Sequence, residues 1–177
     1  MSTTIETILN RRSVREYTDE PVSEKDINTI LDCARWAPSG LNNQPWKFIV
    51  IQDENTINNL AQCTHYSSIV LGSKVLIAVY LDNAEMYHHD KDVMAIGASI
   101  QNILLTCVEL GLGSVWLGEI LKQAEKVNSV LEVPESYEFM ALIAIGKPVE
   151  KERTSSRKSI AELTFENKFS KKWIGSN

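Results

Sequence analysis

The chain has 177 residues, 44% of them hydrophobic, which is enough for one domain with a sizeable core. Lys and Arg number 18 against 23 Asp and Glu, so the formal charge is −5. That balance argues against a general nucleic-acid or membrane-surface binder, and it makes any local cluster of basic residues pointed.

Residues 3–11 place Ile5, Ile8 and Leu9 at helical spacing, which predicts a short amphipathic helix ending beside Arg11-Arg12-Ser13-Val14-Arg15. Pro21-Val22-Ser23 opens a second helix. Ser23 is the natural N-cap, Glu24 and Asp26 suit the positive end of the dipole, and Pro38 stops the helix. Ile27, Ile30, Leu31 and Ala34 form its apolar stripe. Trp46–Ile51, Leu76–Leu81 and Phe139–Ile145 are near-continuous apolar runs, the pattern of strands covered on both faces. A long helix is expected from about Asp92 to Leu110, with Val93, Ile96, Ile100, Ile103, Leu104 and Cys107 on one side. Its small residues Ala95, Gly97, Ala98 and Ser99 would allow close approach of another helix or a flat ligand, and Gly111 and Gly113 end it. A further helix covers about Lys122 to Leu131, closed by Pro134. After Gly146-Lys147-Pro148 the chain turns polar through Ser159, like an arm on a surface, and Phe165, Phe169 and Trp173 suggest that the tail docks on something. The order of elements gives an α+β sandwich with helices around a central sheet.

Cys33, Cys63 and Cys107 are widely spaced with no CxxC, so they read as reduced thiols of a cytoplasmic protein, with Cys33 and Cys107 packed in helices. Met1-Ser2-Thr3-Thr4-Ile5-Glu6 has neither the basic nor the apolar segment of a secretory signal, and the apolar runs fall short of the ~20 residues that span a bilayer.

Three segments could carry chemistry. Arg11, Arg12, Ser13 and Arg15 offer guanidinium forks and a hydroxyl suited to phosphate oxygens, although taken alone a solvated basic face at a helix end accounts for them slightly better. Pro38-Ser39-Gly40-Leu41-Asn42-Asn43-Gln44-Pro45-Trp46 is dense in amides beyond what a turn requires, and Gly40 lets backbone approach a ligand. Gly111-Leu112-Gly113-Ser114-Val115-Trp116-Leu117-Gly118 follows a helix and is not a dinucleotide fingerprint; by itself it is a helix cap followed by a short strand. The run His88-His89-Asp90-Lys91-Asp92 invites a metal reading, but adjacent histidines diverge and no second ligand cluster supplies a full shell, so a solvated loop before the long helix accounts for it better and no metal is expected.

Taken together and in order, these segments resemble the nitroreductase family of FMN-dependent oxidoreductases over nearly the whole chain. The resemblance implies a three-layer α/β/α sandwich with a central, mostly antiparallel sheet. It also implies one domain over residues 1–177, whose 147–177 arm packs on a dimer partner. Two FMN sites would lie at the homodimer interface, each built from both chains. Arg11, Arg12, Ser13 and Arg15 would hold the phosphate and ribityl end, joined by Arg157 and Lys158. Pro38, Ser39, Gly40 and Asn42, from the partner subunit, would border the flavin ring. Leu117 and Gly118 would present backbone to it, with the Gly118 amide near N5. The family's chemistry passes a hydride from NAD(P)H through FMN to a small oxidised acceptor such as a nitroaromatic or quinone by a ping-pong mechanism, with no catalytic side chain. A flavin carrier or redox-sensing module without turnover is the alternative, and a metal hydrolase using His88 and His89 is a third. As a short version of the family, the chain would keep any substrate lid within Cys63–Gly72 and Met86–Asp90. Lys74 stands where the family has a proline.

Overall fold

The structure, a computed structural model, describes residues 3–173. Eleven helices and strands follow one another as α1 (Thr4–Asn10), α2 (Glu24–Arg35), β1 (Trp46–Ile51), α3 (Glu54–Ala61), α4 (Ser67–Gly72), β2 (Val75–Asp82), α5 (His89–Glu109), β3 (Gly113–Leu117), α6 (Ala124–Val130), β4 (Tyr137–Gly146) and α7 (Ile160–Leu163). The four strands form one antiparallel sheet in the order β1-β2-β4-β3. This is the expected sandwich, and the alternation of strand side chains builds it. Val75, Ile77, Val79 and Leu81 of β2, with Ala141, Ile143 and Ile145 of β4, pack under α2 and α5. Leu76, Ala78 and Tyr80 of β2, with Leu142 and Ala144 of β4, pack under α3, α4 and α6. Two cores therefore share one sheet.

The central strands behave as their apolar runs predict, since every residue of β2 is buried. β1 does not. It pairs only with β2, so its outer side meets solvent and Lys47 is exposed. Ser23 caps α2 as expected, its side chain accepting from the Asp26 amide, but the helix ends at Arg35, before Pro38 is reached. α5 begins one turn earlier than its apolar period suggests, which places Asp92 inside the helix. With 21 residues it is long and apolar enough to cross a bilayer by length and composition, yet Ile96, Ile100, Ile103 and Cys107 are buried in the core of this sandwich. Its small-residue stretch packs against α2 of the same chain. The Ser99 hydroxyl donates to Ala34 O (3.0 Å) and the Asn102 amide to Cys33 O (3.0 Å), adding a second donor to carbonyls at the end of α2 that already accept from Ala37 N and Trp36 N.

α3 and α4 were not evident from apolar period, because each is under three turns. Asp53 caps α3 by accepting from the Thr56 amide at 2.8 Å. α4 lies within the first of the two segments where a lid was expected. It occupies 67–72 and buries Ile69 and Val70 in the second core, while Leu71 stays exposed. The helix expected from Lys122 divides into a 3₁₀ turn, Glu119–Gln123, and α6. Lys74 pairs with Asp19 at 2.8 Å. Cys63 and Cys107 are buried, whereas Cys33 is half-buried; burial pushes the Cys107 thiol up to about 12.

The apolar stripe of α1 faces outward, with Ile5, Ile8 and Leu9 50–70% exposed. The arm begins on its own chain, where Thr18 N donates to Lys147 O (2.9 Å) and Val149 N to Glu16 O (3.1 Å). Beyond α7 the tail folds on itself, with Phe165 and Phe169 stacked at 4.2 Å and Trp173 N donating to Thr164 O. Residues 174–177 of the expected arm lie outside the described residues.

His89 opens α5 and lies 3.0 Å from Glu138 on β4, and that carboxylate raises the imidazole's pKa. Protonated His89 is favoured in the folded chain, so the stabilisation is fully present below the unfolded value of about 6.5 and is lost as pH rises through the higher folded value. Thermal melting should accordingly show a small gain on lowering pH from 8 to 6 that Glu138→Gln abolishes. An unchanged pH profile in that variant would show that the pair contributes nothing.

Candidate functional site

The Arg segment is held by a close approach that two glycines permit. Gly113 of β3 and Gly146 of β4 are cross-strand partners. Val14 lies on the first and Tyr17 on the second. A Cβ at Gly113 would fall 2.6 Å from Val14 Cγ1, and one at Gly146 would fall 2.9 Å from the Tyr17 ring. Residues 13–17 can therefore lie flat over the end of the sheet. Ser13 bridges Ser114 in parallel, Val14 N donates to Ser114 O (3.0 Å), and the Tyr17 hydroxyl donates to Val14 O (2.7 Å). Burial pushes the Tyr17 phenol far up, so it stays a neutral donor.

This anchoring lifts the basic side chains onto the wall of a cavity of about 490 Å³. Arg11, Arg12, Ser13 and Arg15 line one side, and Lys151, Arg153 and Arg157 of the arm line the other. Two carboxylates, Glu16 and Glu152, also line it. Glu16 is already paired with Lys151 at 2.8 Å, a hydrogen bond and charge that hold its carboxyl below the usual range. Among the described residues Arg11, Arg15, Arg153 and Arg157 have no carboxylate partner. Arg153 donates to Lys151 O (3.1 Å) and Val149 O (2.9 Å) and Arg157 to Ser156 O (2.7 Å), so each is partly spent on backbone carbonyls, as is Arg12. One terminal nitrogen of Arg12 donates to Leu9 O and Arg11 O, closing the end of α1, while its Nε is buried without a partner. Guanidinium groups concentrated in a cleft with little compensating charge form a donor set suited to a multiply charged anion such as a phosphate monoester.

Not every expected residue is here. Lys158 does not line the cavity, whereas Arg153, five residues earlier in the arm, does, together with Arg157. Lys151 and Arg153 went unread in the sequence because that stretch reads only as polar; the recurrence of bases at 151, 153 and 157 was the available signal. Pro38, Ser39, Gly40 and Asn42 are also absent from the cavity wall of their own chain, as are Leu117 and Gly118. The last two sit at the far end of β3, ~10–13 Å along the chain from Ser114. Glu119 follows them and accepts from the Thr64 hydroxyl at 2.9 Å, tying the 63–66 loop to this end of the strand.

The amide-rich turn has its own organising group. Asp92 is fully buried, and it accepts from Tyr87 N (2.8 Å), His88 N (2.8 Å) and the Asn43 side-chain amide (2.9 Å). Burial alone would raise its carboxyl, but those three donors outweigh it and leave it below the usual range. Asp92 was legible only as one acid in a charged run. No group of three or more His, Cys, Asp or Glu that could hold a metal ion occurs among the described residues. His89 is engaged by Glu138 instead.

These features define a class, a three-layer sandwich whose basic cleft is built across the N-terminal segment, one sheet end and a C-terminal arm. The model of the Nitroreductase family matches residues 8–67 and 61–147. The chain belongs to the nitroreductase family. A relative from Archaeoglobus fulgidus, named provisionally as an NADH dehydrogenase/NAD(P)H nitroreductase, is 33% identical over 152 residues, covering 84% of this chain and 87% of its own. A solved structure from Desulfovibrio desulfuricans, a provisionally named nitroreductase in complex with FMN, is 45% identical with a TM-score of 0.90, over 96% of this chain and 99% of that one. The NADPH:FMN oxidoreductase of Vibrio harveyi complexed with NAD+ is 25% identical with a TM-score of 0.87, over 94% and 77% of the two chains.

Proposed function

We propose that this protein is an FMN-dependent oxidoreductase carrying electrons from NADH or NADPH to a small oxidised acceptor, a nitroaromatic or a quinone, in two alternating half-reactions. The observation that carries the reading is the cleft of guanidiniums without carboxylate partners, set by Ser13–Ser114 pairing at the start of the strand that ends in Leu117 and Gly118. FMN, when bound, supplies the two-electron chemistry that no side chain here offers. Arg11, Arg15, Arg153 and Arg157 would hold its phosphate, Ser13 would add a neutral donor, and the backbone of Leu117 and Gly118 would face the ring. The FMN-containing relative supports this assignment.

The site is completed by a second copy of the chain. Within one chain the Pro38–Asn42 turn does not line the cavity, and Ile5, Ile8, Leu9, Met94, Ile160 and Leu163 leave apolar surface uncovered. Association of two copies would cover that surface and bring the partner's turn to the ring. Free thiols at Cys33, Cys63 and Cys107 suit a reducing compartment, the cytoplasm.

Anaerobic mixing with NADH or NADPH tests the reading. The flavin band near ~450 nm should bleach, and a nitroaromatic or quinone should restore it. Steady-state rates should then give parallel double-reciprocal lines. Absence of bleaching with both nicotinamides would leave only a flavin carrier. Arginine 153 provides a finer check: Arg153→Ala should weaken FMN binding about tenfold, as loss of one charge-assisted contact does, while Lys158→Ala leaves it unchanged. The reverse result would return the phosphate to Lys158.

A further inference from the structure

The turn from Ser39 to Gln44 holds a costly shape. Leu41, Asn42 and Gln44 have φ of 54°, 58° and 50°, left-handed values that burden residues other than glycine. The Asn43 side-chain oxygen is buried without a hydrogen-bond partner, which adds to the cost. Inside the turn, Asn42 N donates to Ser39 O, Asn43 N to Gly40 O, and Gln44 N to Ser39 Oγ. Among the described residues the turn is hydrogen-bonded to distant parts of the chain through one group, the Asn43 amide, which donates to Glu85 O (3.0 Å) and to Asp92 Oδ1 (2.9 Å).

A carboxylate can only accept, so Asp92 fixes which end of the Asn43 amide faces it. Its other oxygen takes the amides of Tyr87 and His88. One buried carboxylate thus joins the turn, the loop before α5 and the first turn of that helix. The same loop sets the Tyr87 ring against Gly40, where a Cβ would fall 2.6 Å from Cε1.

We propose that Asp92 is a positioning residue for flavin binding, holding the Ser39–Gln44 turn through Asn43 in the shape that meets the heterocyclic ring. The proposal rests on the reading above that this turn borders the ring. Asp92 itself is buried behind the turn and acts only through Asn43 and the Tyr87–His88 backbone.

The test uses the full-length chain freed of flavin, as wild type, Asp92→Asn, Asn43→Ala and the double variant, titrated with FMN and with riboflavin by fluorescence. Asn at 92 replaces one acceptor oxygen with an amino group that faces an N–H. Asn43→Ala leaves Asp92's bonds to Tyr87 and His88 in place, so it carries the test if Asp92→Asn fails to fold. Each single variant should weaken both flavins equally, by about tenfold, because the ring is common to both and one hydrogen bond to a charge is lost. The double variant should be no weaker than the worse single, since both act in one chain of contacts. Single-variant affinities within about twofold of wild type, or losses that multiply in the double, would overturn the proposal. A loss confined to FMN would overturn it too, because that would place the effect at the phosphate. If wild type binds neither flavin, the functional reading fails and the proposal fails with it; wild-type binding with unaffected variants overturns the proposal alone.

Discussion

Replacing Arg11 and Arg15 together with alanine should weaken FMN binding by about a thousandfold while leaving riboflavin affinity nearly unchanged. Each guanidinium removed takes away a hydrogen bond to a charge, about 1.5–3 kcal/mol, and two such losses span roughly two to four decades in Kd. The selectivity for FMN over riboflavin is the decisive quantity, since only FMN carries the phosphate. Neither side chain has a carboxylate partner among the described residues. Their removal therefore strands no buried acid, and the flavin-free protein should melt at the same temperature or slightly higher as like charges are thinned. Wild-type affinity for FMN should fall with added salt more steeply than affinity for riboflavin. An unchanged FMN-to-riboflavin ratio in the double variant would show that the cleft does not read the phosphate.

The second large effect is expected from Gly113→Val, a substitution that alters no charge. A Cβ at Gly113 meets Val14 at 2.6–3.0 Å through three atoms, and one of them is Val14 Cβ, which cannot swing aside. Either Val14 leaves or β3 bends. Overpacking of this kind costs about 1–3 kcal/mol, with valine near the upper end, and chemical denaturation should register it as a lower midpoint. The displacement also moves Ser13 off Ser114 and takes Arg11 and Arg15 with it. FMN affinity should therefore fall in the folded variant, a loss that Val14→Ala in the same chain partly restores. A variant of wild-type stability and affinity would show that residues 13–17 do not rest on this glycine.

Much of the fold was legible because its strands are extreme. β2 and β4 are buried over nearly their whole length, so continuous apolar runs marked them, and β1 matched its expected bounds. Short helices were invisible for the opposite reason, since the six residues of α4 carry too few turns to show a period. α1 showed its period clearly but not which way it faces, because a stripe reads the same whether it meets the core or a second chain. At the site, the arginines declared themselves by density. Asp92 did not: a single acid three residues into a helix matches the preference for negative charge near an N-terminus, and only the fold shows Asn43 waiting on the other side. Arg153 lay hidden in a polar run whose register against the cleft is set by Val149 N on Glu16 O, a contact between residues far apart in sequence.

The single sheet with a core on each face has a further consequence for how such a chain can change over evolutionary time. Leu142 and Ile143 are neighbours in sequence but belong to opposite interiors. A substitution history at one carries little constraint on the other. The α2–α5 interior supports the Asp92–Asn43 junction, while the interior under α3, α4 and α6 takes in Leu117 and backs Tyr17, the anchor of the arginine segment. Each interior therefore carries a different part of the site, one the amide-rich turn and the other the end of β3 and the footing of the arginine segment. The sheet acts as a partition, so a change in either half is felt first by the part of the site that half carries.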